Sequence, residues 1–204
     1  MKSIKQLFIA LLTAVVLPAA AQKTMNEGKL VFEISYPNSD IPDQQMAMMS
    51  MGMGMTTVVI SDNKAKVATT LMDVMGNKIA TKSTEADIEK QNAEQGDFKV
   101  QVTDETKTIA GYTCKKAVVT DSDGETSDIY FCEDIKLEGG NWSQKQFKDI
   151  NGFPLMYSFK QRGINMQMTA TKISAEKVDD SKFTIPSDYK EMTQEEMRKM
   201  FGGR

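Results

Sequence analysis

Polar and apolar residues alternate along most of this chain. Leu30, Phe32, Ile34 and Tyr36 fall on one side of an extended segment, with Val31, Glu33 and Ser35 on the other. Ala65, Val67, Thr69 and Leu71 repeat the pattern, as do Phe98, Val100 and Val102. Phe153, Leu155, Tyr157 and Phe159 form another such series, and Ile164, Met166, Met168 and Ala170 the last. A period of two sends successive side chains to opposite faces of a strand, so the pattern predicts antiparallel strands with an apolar and a wet face. Ser61-Asp62-Asn63, Asp121-Ser122-Asp123-Gly124 and Gln161-Arg162-Gly163 carry the turn residues that join such strands. Thr113 to Val119 and Ser127 to Glu133 read as the strands flanking the Asp121 turn.

Helical signals are few. Pro42 to Ser50 fits a short helix with Pro in its first turn. Thr84 to Gln95 fits a polar helix stopped by Gly96. At residues 193–201, Thr193 and Glu196 make a capping box, and Met192, Met197, Met200 and Phe201 give an apolar edge. The fold class expected is mainly β with a few helices: a single curved antiparallel sheet with short covering helices.

The alternation fails at the N-terminus. Lys2 and Lys5 precede an apolar run from Leu7 to Leu17, then Pro18 and Ala19-Ala20-Ala21. That order is the signature of a secretory signal peptide, residues 1–21, cut before Gln22. The run is too short to span a bilayer, and no other stretch is apolar enough, so no membrane span is expected. Residues 22–204 then form a single β-rich domain. Its expected location is the periplasm or outer cell envelope, or the medium outside the cell.

Export changes how Cys114 and Cys132 read. An even pair in an exported chain favours a disulfide. A hairpin centred on Asp123 sets the two cysteines opposite each other, within bridging range of adjacent strands. Closing a loop of that length contributes about 3 kcal/mol.

Composition removes several chemistries. The chain has no His among its 204 residues. That excludes Ser-His-Asp and Cys-His catalysis and His-zinc sites. A formal net charge of -3 leaves no basic excess for a phosphate backbone, so no nucleic acid is expected as a partner. Neither a Gly-rich phosphate loop nor a nucleophile elbow occurs, and no carboxylate pair has glycosidase spacing. The expectation is a non-catalytic protein without a cofactor.

The unusual segment is Gln45 to Met55, which holds Met46, Met48, Met49, Met51, Met53 and Met55. Thioethers prefer Cu(I) or Ag(I), so the run reads as a soft-metal site. Met is also flexible and polarizable, which suits an apolar-ligand surface shared with Met166 and Met168. The third reading is structural packing against the sheet. Asp121-Ser122-Asp123-Gly124 resembles part of a calcium loop, but the flanking ligand positions hold Val119 and Tyr130, so a hairpin turn is expected. Asn141-Trp142-Ser143 matches a glycosylation sequon, and Trp142 reads as a packed loop anchor or a binding-rim aromatic. Lys107, Lys115 and Lys116 cluster around one strand, either as a solvated sheet face or as contacts for anionic headgroups.

Three stretches carry a resemblance. Lys107-Thr108-Ile109-Ala110-Gly111-Tyr112-Thr113-Cys114-Lys115-Lys116-Ala117 resembles the K-x-I-x-G-Y-x-C-K-K-A stretch of a secreted family known only as a domain of unknown function, close to the GLPGLI family. Asn151-Gly152-Phe153-Pro154-Leu155 resembles its G-F-P-L turn. Residues 180 to 189, from Asp180 through Phe183, Ile185 and Pro186 to Tyr189, resemble its closing D-x-x-F-x-I-P-x-x-Y. The resemblance implies a half-barrel like that of the lipoprotein-sorting proteins LolA and LolB, whose greasy concave face carries acyl chains. The expected function is therefore an exported protein that binds an apolar or lipid-like ligand on the concave face. Lipid or lipoprotein acyl chains would be its partners. Soft-metal binding, and a protein-interaction module without a small ligand, are the alternatives.

Overall fold

Local chemistry specifies the central hairpin. The Asp121 carboxylate accepts from the Asp123 and Glu125 amides, both at 2.9 Å. Gly124 takes a φ of +83°, a left-handed conformation open to glycine. The turn joins β7 (Tyr112–Thr120) to β8 (Thr126–Cys132), paired from Thr120–Thr126 down to Lys115–Phe131. One strand earlier, Ala110 and Gly111 both have positive φ. They close a two-residue turn between β6 (Lys99–Ile109) and β7, where Ile109 faces Tyr112.

The computed structural model describes residues 23–25, 28–37, 55–74, 76–137, 139–161 and 164–200. The remaining strands are β1 (Lys23–Met25), β2 (Lys29–Ser35), β3 (Met55–Asp62), β4 (Val67–Val74), β5 (Asn77–Thr84), β9 (Ile135–Leu137), β10 (Phe153–Gln161), β11 (Ile164–Ser174) and β12 (Lys190–Met192). The helices are α1 (Glu85–Glu94) and α2 (Gln194–Met200), with 3-10 turns at Lys145–Phe147 and Asp180–Phe183.

The expected fold class holds: the chain is mainly β, built on a large antiparallel sheet that does not close. Its order is β2-β11-β10-β8-β7-β6. A second sheet runs β12-β5-β4-β3, and β1 pairs β9 in a short ribbon. Two pairs depart from the antiparallel expectation: β1 with β9 and β12 with β5 are parallel.

The helices expected at Thr84 to Gln95 and at 193–201 both form. Thr84 caps α1, and Asp87 returns the bond to the Thr84 amide at 2.8 Å. Thr193 and Glu196 make the matching box before α2, at 2.8 and 3.1 Å. The α2 helix covers β5, with Met197 Sδ 3.9 Å from Thr81 Oγ1. Ile79, Ala80 and Thr81 are consecutive and all buried, so β5 is covered on both faces. The helix expected at Pro42 to Ser50 lies outside the described residues.

Two apolar clusters pack the large sheet. One joins Ile109, Cys114, Tyr130, Cys132, Ile135, Leu155, Met156 and Ala170. The other joins Ala117, Val119, Ile129, Phe131, Phe147 and Ile150. In β7 and β8 the members of the two clusters alternate, so these strands are buried on both faces.

Candidate apolar binding face

Strand register lines up an apolar row across five strands. Ala117 of β7 faces Ile129 of β8, which faces Tyr157 of β10. Tyr157 faces Met168 of β11, and Met168 faces Ile34 of β2. Exposure rises along the row. Ala117 and Ile129 are 0% and 1% exposed, Tyr157 and Met168 are half-buried, and Ile34 at the sheet edge is 41% exposed. Beside this row Phe159 faces Met166, and Phe32 faces Ala170.

The loop between β9 and β10 covers one end of this face. Phe147 meets the Tyr157 ring edge-on with centroids 4.9 Å apart, an arrangement that adds about 1 kcal/mol to simple burial. Ile150 completes the cover, held by amide bonds through the 3-10 turn. Burial pushes the Tyr157 phenol above its usual range, and a bond with Gln144 offsets part of that. Tyr157 then hands the aromatic surface on to Phe32 and Phe159, at 6.2 and 6.4 Å.

Past this cover the apolar surface continues. Phe159, Ile164, Met166 and Met168 remain half-buried. No charged side chain shares their face of β10, β11 and β2 among the described residues: Lys160, Lys29 and Glu33 fall on the alternate positions, and the bulge after Ala170 sets Lys172 opposite Val31, on the other side. Such a strip can exclude water from alkyl or aromatic groups. It offers no nucleophile and no acid or base.

The opposite face, which also holds Cys114, Tyr130 and Cys132 of the first cluster, carries an ionic network across β6 to β8. Lys116 pairs with Asp128 at 2.7 Å and Glu105 at 3.3 Å. Tyr130 donates to Glu105 at 2.5 Å, which holds that carboxyl below its usual range, with Lys116 adding to the effect. Lys107 stands 5.4 Å above the Tyr130 ring, whereas Lys115 lies on the Ala117 side of β7 and pairs there with Glu133 at 2.7 Å. The three clustered lysines are thus engaged within the sheet, which fits the solvated-face reading better than a headgroup site. This network was not legible in the sequence. Three residues of β6, Thr103 to Glu105, stand against Lys116 alone at a bulge, and that irregularity brings Glu105 within reach.

The candidate methionines divide. Met46, Met48, Met49, Met51 and Met53 lie outside the described residues, and only the backbone of Met55 is described, as the first residue of β3. Met166 and Met168 are on the apolar strip. Cys114 and Cys132 are buried free thiols, so the expected bridge is not formed in this structure. The pair beside them, Lys115 with Phe131, is in the register the bridge relied on. Trp142 is a loop anchor: its indole donates to Asn63 Oδ1 at 3.0 Å. The Asn141 amide of the sequon donates to the Gly152 carbonyl at 2.9 Å, inside the same loop. Val102, expected to face inward, is 51% exposed because β6 is an edge strand.

Two hollows occur elsewhere among the described residues. One of about 380 Å³ is lined by Lys177, Asp179 and Asp180. The other, about 190 Å³, is lined by Thr106, Thr113, Lys115, Glu133 and Asp134. The residues around both are polar or charged types, and none belongs to the apolar strip. No helix among the described residues is long and apolar enough to cross a membrane.

The model of a domain of unknown function, DUF4412, matches residues 22–189, and the chain belongs to that family. No curated protein matches. Two crystal forms of PNGF-II are similar in structure at 17% and 16% identity, with TM-scores of 0.44 and 0.45. They cover 84% and 85% of this chain, which spans about a third, 32%, of theirs.

Proposed function

We propose that this member of the DUF4412 family is an exported, non-catalytic protein that holds an acyl-chain-like ligand against the apolar face of β10, β11 and β2. The observation that carries the reading is the row from Ala117 to Ile34. It leaves the packed core at Tyr157 and continues through half-buried Met168 to an exposed Ile34, with no charged side chain on that face among the described residues. A chain laid along this strip would gain about 0.8 kcal/mol for each methylene taken from water. Met166 and Met168 suit ligands of varied shape, since thioether side chains repack readily. The secretory pattern of residues 1–21 supports export. The half-barrel that the family resemblance implies supports an acyl ligand.

Titration with a fluorescent long-chain fatty acid tests the reading. Met168→Lys sets an ammonium in the middle of the strip and should weaken binding at least ~10-fold, or about 1.4 kcal/mol. Lys99→Gln, on the far edge strand, should leave affinity unchanged. Equal affinity in the wild type and Met168→Lys, or no binding to the wild type, would overturn the assignment.

A further inference from the structure

We propose that Cys114 and Cys132 close a cross-strand disulfide between β7 and β8, and that the bond forms before the sheet packs around it. The geometry starts from register. Lys115 faces Phe131, and the next residue outward on each strand is a cysteine. Directly opposed residues of antiparallel strands have Cβ atoms about 4.5–5.5 Å apart, a small inward adjustment from disulfide spacing. Both cysteines belong to one apolar cluster and both are 0% exposed. The β9–β10 loop seals this end of the hairpin. Gly152 lies so close that a Cβ on it would come within 2.4 Å of the Cys132 carbonyl.

That burial decides when the bond can form. Exchange requires a thiolate, and it requires a donor disulfide to reach that thiolate. Burial pushes the Cys114 thiol up to about 12, with Cys132 adding to the shift, and burial raises Cys132 as well. A packed, reduced protein therefore offers neither access nor thiolate. In the open chain both are present. One cysteine thiolate attacks glutathione disulfide, or a protein disulfide of the same chemistry, and expels one glutathione thiolate. The second cysteine attacks the mixed disulfide and expels the other. The two cysteines lose two protons and two electrons, and the donor becomes two thiols. The inference rests on the hairpin alone and is independent of the apolar ligand.

Refolding in two orders tests it. In one, the full-length chain, reduced and unfolded in urea, is diluted into native buffer with glutathione disulfide. In the other, the chain is refolded under reductant, freed of it, and then given the same oxidant. Samples taken over time are alkylated under denaturing conditions and analysed by peptide mass spectrometry. The first order should give linked Cys114 and Cys132 peptides without alkyl groups. The second should keep both thiols at least ~10-fold longer. A reduced chain that cannot fold supports the same order of events. Two alkylated thiols in the first sample, a lasting glutathione adduct on one cysteine, or equally fast oxidation of the folded protein would overturn the proposal.

Discussion

A single side chain decides where core ends and binding face begins. Tyr157 touches Phe147 of the covering loop on one side and faces Met168 on the other. Its neighbour Leu155 is 0% exposed and belongs wholly to the core. Leu155→Ala should destabilise the fold by about 2–5 kcal/mol, read as a lower midpoint in urea unfolding. A change below about 1 kcal/mol would mean that the site is loosely packed. The alternation of Phe153, Leu155, Tyr157 and Phe159 made the apolar positions legible. It did not show that a bulge falls between Pro154 and Met156 and shifts the strand's register against β8. Met166 and Met168 were legible as strand residues. Their pairing with Phe159 and Tyr157 was not, because register across strands is set by contacts distant in sequence.

Hairpins and helix caps were the most legible elements, since their chemistry lies within a few residues. Asp121 at the hairpin, Thr84 with Asp87, and Thr193 with Glu196 all use local side-chain bonds to backbone. Those bonds hold the Asp87 and Glu196 carboxyls below their usual ranges. A lowered folded value stabilises above the unfolded value and is lost as pH falls through the folded one. Both caps should therefore persist at neutral pH and fray only below the ordinary carboxylate range. Amide NMR shifts at Asp87 and Glu196 followed through an acid titration check this, and a transition at or above the usual carboxylate values would contradict it. The join between the β3–β4 turn and the β9–β10 loop was not legible. Trp142 bonds Asn63 there, and Gly139, at φ +81°, leaves only 2.7 Å between an added Cβ and the Asn63 carbonyl. Gly139→Ala should cost about 1–3 kcal/mol and shift the fluorescence of the chain's single Trp to the red. An unshifted spectrum would show that the join tolerates the methyl group.

At the scale of the molecule, the two faces of the large sheet have different chemistry. One carries the ion pairs of Lys116, Glu105 and Asp128, and the other carries the apolar row that ends at Ile34. Fold class was legible because alternation recurs in strand after strand. The sheet order was not, since β2 and β11 pair across more than half the chain. Covering the apolar edge with an acyl chain is the central claim. Native mass spectrometry of the protein purified without refolding from the cells that make it tests that claim most directly. The account predicts a lipid-sized adduct that collision removes and that Met168→Lys lacks. A bare chain mass in the wild type, or an adduct unchanged by Met168→Lys, would contradict it.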